Sequence, residues 1–336
     1  MSATTPVGPA ANTPPPAALA RPGRRSARAS ALTGASSASR PPGRGRLTRP
    51  ERIWGRIFIA PPVLGFALFA LAPLLFSCYA AFTHWNGLSS PVFSGLTNFR
   101  TMAGDPQFWQ SLWNTLFLMI GIPIGLAISL ALAIALNRRM PGRAAFRVIY
   151  YLPGVSSVAA ISILWQWALN GDFGLVNELL RMVGIDGPNW LAEKTWVKPA
   201  LILMGVWKGL GFSTLLYLAA LQSVPRNLLE AAMLDGAGAW RRFRHVTLPM
   251  LSPVTFFLVV TGIIGGAQMF AEINIMTPTG GPEFGSATIV WYIWQQGFQN
   301  LKLGYATAMS LVLGALIFLV TAFQFYLNSR NVFTVE

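Results

Sequence analysis

The chain has 336 residues, 53% of them hydrophobic and 11% charged, whereas soluble domains carry about 25% charged residues. Its net charge is +14 and it holds one cysteine, which excludes an intramolecular disulfide. A soluble globular class is excluded, and most of the chain belongs in lipid.

Residues 1 to 50 are rich in Pro, Ala, Ser, Gly and Arg and lack apolar periodicity. Such a segment cannot bury enough surface to offset the entropy of ordering. It is read as a disordered, basic, cytoplasmic tail, with 51 to 336 as the transmembrane domain. Its arginines stand near the first apolar stretch, within reach of anionic lipid. That stretch is longer than a signal-peptide core and is expected to remain as a span. Cys78 lies deep in it and reads as a buried, inert thiol.

Six apolar stretches of about 20 residues or more follow one another, each able to cross a hydrocarbon core of roughly 30 Å as a helix. They run about 57 to 82, 111 to 136, 148 to 168, 197 to 221, 253 to 276 and 305 to 327. The expected fold class is therefore all-α integral membrane with six transmembrane helices. With both termini inside, the inner segments carry 19 Lys and Arg, ten of them in the tail through Arg56, against five in the outer segments. This bias sets the orientation, and it already accounts for the basic balance without a nucleic acid.

The segment 222 to 252 is a polar insert between two apolar stretches, and it falls on the cytoplasmic side. Pro225 stands where a helix starts, Arg226 to Leu234 are good helix formers, and Gly236 is able to take the left-handed conformation that ends one. Trp240, Phe243, Val246 and Thr247 then recur at helical spacing, predicting a second short helix with an apolar stripe suited to a groove.

The run EAAMLDGAGAWRRFRHVTLPMLSP at 230 to 253 resembles the EAA loop of permease subunits from bacterial ABC importers. WQWALNGDFGLVN at 165 to 177, VWKGLGF at 206 to 212 and MTPTGGPEFGSATIVWYIWQQGF at 276 to 298 resemble the carbohydrate-importing, maltose-type branch. The resemblance covers roughly residues 52 to 330. It implies a type I ABC importer permease fold in which Glu230, Ala231, Ala232, Asp235, Gly236, Ala237, Phe243, Leu248 and Pro249 form cytoplasmic coupling helices that dock on an ATPase. It also implies a bacterial inner membrane location and four kinds of partner: a second permease subunit, two ATP-binding subunits, an extracytoplasmic solute-binding protein and membrane lipid.

The chain has no Gly-x-x-x-x-Gly-Lys-Ser/Thr phosphate loop, so ATP and Mg are expected in the partner ATPase and no cofactor on this chain. His84 and His245 stand far apart without a ligand cluster, which makes neither a zinc site nor a catalytic triad. His245 reads as part of the loop's cationic surface. A non-catalytic membrane subunit is the expectation.

Polar groups inside a membrane point to the bundle interior or a cavity. By helical rise Lys208 lies about 16 Å below the outer end of span four and Gln268 about 12 Å below that of span five, so the two share a layer, while Glu272 and Trp165 are shallower at about 6 Å. Trp165, Trp207, Lys208, Gln268, Phe270, Glu272 and Asn274 are the candidates for the solute path, aromatic faces stacking on sugar rings and polar groups meeting hydroxyls. Lys208 has the competing role of neutralising a carboxylate, and Trp167 and Trp291 that of interfacial anchors. The turn-rich run 277 to 282 is a re-entrant bend or loop; by resemblance Gly280, Gly281 and Pro282 belong to the outer gate and face the binding protein. A permease for another solute class is the nearer alternative. An ion-coupled secondary carrier is the more distant one, since neither inverted repeats nor a mid-membrane carboxylate relay is apparent.

Overall fold

The computed structural model describes residues 49–137 and 143–328; the segment read as a tail, apart from its last two residues, lies outside the described residues, as do Arg138, Arg139 and Arg330. Contacts group the chain into two units, one through Pro61 and one from Pro62 onward. The first holds the start of helix α1, Arg49–Phe66. In the second, α1 runs on through a π-helical turn, Ala67–Leu71, into α2, Ala72–Ala80.

A short hairpin, β1 Thr83–His84 antiparallel to β2 Val92–Phe93, is the one strand pair among the described residues. Next come α3 Thr97–Ala103, α4 Pro106–Leu118 and α5 Gly121–Asn137. Asp105 caps α4: its side chain accepts from the Gln107 amide at 2.9 Å, and Pro106 at the first position needs no partner for the N–H it lacks. After α5 lie α6 Arg143–Val155, α7 Val158–Ala168 and the short α8 Leu175–Met182.

The longest helix, α9, spans Lys194–Ser223. The chain then forms α10 Arg226–Leu234, α11 Ala239–Arg242, a π-turn Phe243–Thr247, and α12 Leu248–Met250. Helix α13, Ser252–Ala267, α14, Ala271–Met276, and α15, Ile289–Trp294, lead to the last helix, α16, Leu303–Asn328.

Four stretches are long and apolar enough to cross a membrane: Trp54–Ala80, Pro106–Asn137, Lys194–Ser223 and Leu303–Asn328. The expected third and fifth spans are not single helices. In the third, Val148–Val155 and Val158–Ala168 meet at 109°; the fifth is divided into Ser252–Ala267 and Ala271–Met276, and the loop arm before it, Ala239–Met250, meets Ser252–Ala267 at 62°. Pro253 at the start of α13 lacks an N–H and crowds the preceding turn, where the 62° bend falls; the 109° bend falls at Ser157, which takes a non-helical ψ of 133°. By length and composition, four spans rise to as many as six if each bent pair is counted as one.

Helix α9 is the spine. Small residues let its neighbours close in: a Cβ on Gly121 of α5 would stand 3.3 Å from Ile202, and one on Gly211 would collide with the Tyr150 carbonyl of α6. Of three buried clusters, the first and third include residues of α9. Val197, Leu201 and Met204 pack with Ile273, Met276 and Trp291. Met102 and Phe108 pack with Tyr292, Tyr305 and Met309. Tyr217, Leu218, Ala133 and Leu136 surround Leu251, which is fully buried.

Candidate functional site: a mid-helix cavity, a helical loop and a packed turn

The fifth expected span breaks where its glycines end. Gly262, Gly265 and Gly266 are poor helix formers, and α13 closes with the Gln268 amide bonding the Gly265 carbonyl at 3.2 Å. Phe270 takes an extended φ of −137° before α14 begins. The Met269 carbonyl, freed by the break, accepts from the Thr288 hydroxyl at 2.7 Å.

The depth arithmetic put Gln268 in the layer of Lys208 and Glu272 above it. Gln268 does line the same cavity as Lys208, and the Lys208 ammonium reaches Glu272, donating to its Oε1 at 2.8 Å. Their side chains retain 25% and 13% of their surface, which makes the pair partly buried and mutually neutralising.

Lys208, Glu272 and Gln268 line a cavity of about 520 Å³ bounded by α4, α5, α9 and α13. Gly125, Gly205, Gly209 and Gly262 stand on its wall; a Cβ on Gly205 or Gly209 would meet nothing within 4 Å, whereas one on Gly262 would stand 3.0 Å from Ile122. Ser213 and Thr261 add hydroxyls. Sequence reasoning missed both, although Thr261 precedes Gln268 by seven residues, two helical turns on the face it would share had α13 continued.

Trp165, Trp207, Phe270 and Asn274 are not among the residues on that wall. Trp165 packs edge-on against Trp207 with centroids 5.6 Å apart, and Phe270 lies 5.5 Å from Trp294. Asn274 is half-buried on α14. Trp167 is exposed, as an interfacial anchor requires, but Trp291 is completely buried in the first cluster and anchors nothing at a surface.

The loop 222 to 252 has the predicted helix, turn and second helix. Gly236 holds φ +75°. Around it the Ala237 amide bonds the Ala232 carbonyl at 2.9 Å and the Gly236 amide bonds the Met233 carbonyl at 3.0 Å, the paired bonds of a glycine-terminated helix. Arg242 Nη1 donates to the Ala237 carbonyl at 3.1 Å and stiffens the second arm. Glu230, Ala231, Asp235, Leu248 and Pro249 are exposed and Phe243 is half-buried, 5.6 Å from the Trp240 ring. Trp240 and Leu234 are 70% and 90% exposed, an apolar display on an otherwise polar loop. A groove of about 330 Å³ between the arms is lined by Ala232, Asp235, Ala237, Arg241, Arg242, His245 and Val246.

At the other end of α9 the turn-rich run is packed rather than open. Gly280 and Gly281 have φ of +81° and +77°. Gly280 is buried, and a Cβ there would stand 3.0 Å from Ala287 and 3.1 Å from Trp291. The Ser286 hydroxyl lies within hydrogen-bond distance of the Gly280 carbonyl, at 3.0 Å, and of the Thr277 hydroxyl, at 2.9 Å. Asn114 of α4 donates to the Phe284 and Ala287 carbonyls at 2.9 and 3.0 Å, and Lys194 pairs with Glu283. Pro282 is half-exposed at its tip.

Asp105, which sequence reasoning passed over, ties this end together. Its Oδ2 accepts from Tyr292 at 2.5 Å and from Tyr305 at 2.6 Å. Burial works to raise its carboxyl pKa, and the two hydroxyls with the Gln107 and Phe108 amides outweigh it, holding the group below its ordinary value. The Asp-Pro pair at 105 and 106 was the available signal, as a helix start.

These features define a polytopic membrane protein with a small, mainly apolar cavity at mid-helix carrying a few polar groups, and a structured helical loop at one end. The chain matches the family described as "Binding-protein-dependent transport system inner membrane component" over residues 121–332, and it belongs to that family. It is a multi-pass inner membrane permease, a non-catalytic component of a bacterial ABC transporter.

It is 36% identical to the lactose transport system permease protein LacF of Rhizobium radiobacter over 84% of this chain and 96% of that protein. It is 35% identical to the probable ABC transporter permease protein YesP of Bacillus subtilis over 84% of this chain and 93% of that protein. Among solved structures it is similar to a chain of a bacterial alginate ABC transporter, crystallised with a periplasmic protein bound to alginate pentasaccharide, at a TM-score of 0.73 and 26% identity, covering 84% of this chain and 96% of that one.

Proposed function

We propose that this permease imports a carbohydrate, or a related polyol or sugar-phosphate compound, delivered by an extracytoplasmic binding protein. The observation that carries the reading is the cavity: charge cancelled within it, hydroxyl and amide groups on its wall, and a volume of about 520 Å³, at the scale of small-molecule sites. The lactose permease and the alginate transporter support the same solute class.

In this reading the loop 222 to 252 faces the cytoplasm with both termini, and the Pro282 turn faces outward toward the binding protein. The exposed Trp240 and Leu234, together with Glu230 and Asp235, meet an ATP-hydrolysing subunit that holds ATP and Mg. The complete importer has two such subunits and a second permease. Coupling then has a physical route. The second arm of the loop runs into α13 through Leu251, which is locked in the third cluster, so a push on the loop moves the helix that carries Thr261 and ends at Gln268. Loading of the binding protein and closure of the ATPases would open the path outward, and hydrolysis would reset it.

The test is uptake and ATP hydrolysis by the complete importer in liposomes. Neutral oligosaccharides with the binding protein are expected to stimulate both. Stimulation by polyamine, phosphate or peptide in place of every sugar overturns the carbohydrate assignment.

A further inference from the structure

The relatives include a lactose permease and a transporter of the acidic polysaccharide alginate, so likeness leaves the charge class of the solute open. The cavity speaks to it. Among the described residues on its wall, Lys208 and Glu272 are the ionisable ones, and their 2.8 Å bond leaves that wall without net charge. Gln268, Ser213 and Thr261 supply neutral donors and acceptors.

We infer that the Lys208–Glu272 pair is a charge-selectivity device at the solute site, admitting neutral sugars and disfavouring sugar acids and amino sugars. The inference rests on the carbohydrate reading and narrows it. A carboxylate entering the cavity meets a lysine already engaged. It either remains uncompensated in a partly dry site or takes Lys208 and leaves Glu272 buried without a partner. An ammonium group meets the mirror problem. A hydroxyl-bearing solute avoids both, because it bonds to Gln268, Ser213 and Thr261 without disturbing the pair. Glu272 stands on α14, just past the chain break at 268 to 270 that ends α13, and reaches Lys208 of α9 across 64 residues of chain.

The test is uptake by the complete importer in liposomes. The panel is neutral di- and trisaccharides, each matched with its aldonate, such as lactose with lactobionate, and with its amino-alditol. Sets are used whose members the binding protein all binds, so that differences between permease variants arise in the membrane. The wild type is expected to take up the neutral member and exclude both charged ones. Glu272→Gln frees Lys208 and raises the aldonate-to-neutral uptake ratio at least tenfold. Lys208→Gln frees Glu272 and raises the amino-alditol ratio likewise. The double variant returns both ratios to the wild-type values. Should one single variant fail to assemble, the other single variant and the double carry the comparison. Unchanged ratios across assembled variants, with neutral uptake intact, overturn the inference alone. Failure of the wild type to take up any sugar of the panel overturns the carbohydrate reading, and this inference with it.

Discussion

Tyr305 at the start of α16 donates its hydroxyl to Asp105, the cap of α4, at 2.6 Å across 200 residues of chain. Tyr292 reaches the same oxygen from α15. One carboxylate therefore closes a helix N-terminus and joins three elements at the end of the molecule assigned to the outside.

Loss of this carboxylate is expected to loosen that end. Hydrogen bonds to a charged group contribute about 1.5 to 3 kcal/mol each, and a cap about 1 kcal/mol. Asp105→Asn keeps an acceptor and should cost about 1 to 2 kcal/mol, whereas Asp105→Ala should cost about 3 kcal/mol or more. Thermal unfolding of the purified complex reads the difference; equal midpoints for wild type and both variants count against the role.

The same group sets an acid limit. Its folded pKa lies below the ordinary 3.8, so its contribution is complete at pH values above that figure and is lost as pH falls through the lower folded value. The loss of midpoint between pH 7 and pH 3 should be smaller in Asp105→Asn than in the wild type. Identical acid slopes in the two proteins would remove Asp105 from the account.

Gly236 makes a coupling prediction with a clear physical origin. A Cβ there meets nothing within 4 Å, so the cost of Gly236→Val is in the backbone at φ +75°, about 1 to 2 kcal/mol or more for a β-branched residue. The second arm of the loop should be misaimed, giving an inserted protein with impaired uptake and weakened ATPase stimulation. Gly236→Asn, which tolerates positive φ, should retain most of both. Glu230→Lys tests the same surface by charge. Wild-type assembly, stimulation and uptake in both Gly236→Val and Glu230→Lys would sink the loop's assignment.

The outer turn behaves differently because it is packed. At Gly280 an added Cβ meets both a positive φ of +81° and neighbours at 3.0 and 3.1 Å, so strain and overpacking add. Gly280→Ala should cost about 2 to 4 kcal/mol, read as a lowered midpoint and reduced yield of assembled complex. A midpoint within a degree of wild type would show that Ala287 and Trp291 yield freely.

Orientation is tested by labelling single cysteines in a chain with Cys78 replaced. Leu88→Cys, at a position 81% exposed in the hairpin, should react with an impermeant thiol reagent added to intact spheroplasts. Asn227→Cys at the start of α10 should react only after the membrane is opened. The reverse pattern inverts the topology.

Much of this architecture was readable before any coordinates, because some features are local or compositional. Apolar length decides what enters a bilayer, so the spans through Ala80, from Pro106, from Lys194 and from Leu303 were placed to within about five residues, the scatter usual for element ends. The helix-turn-helix of the loop was legible for the same reason: Pro225 and Gly236 act through their own dihedrals.

Tertiary structure alone decided where residues distant in sequence meet. Hydropathy does not register the failure of α13 at Gln268, since glycines and apolar residues continue the apolar run while weakening the helix, nor does it show that Glu272 beyond the break bonds to Lys208. Trp291 looks like an interfacial anchor by type, yet Gly280 lets the 280 to 287 turn close over it and bury it. Asp105 reads as an ordinary cap until α15 and α16 bring two hydroxyls to it. A sequence determines local dihedral preference and affinity for lipid, which depend on near neighbours. Pairings across 64 or 200 residues depend on packing geometry, which only the folded chain sets.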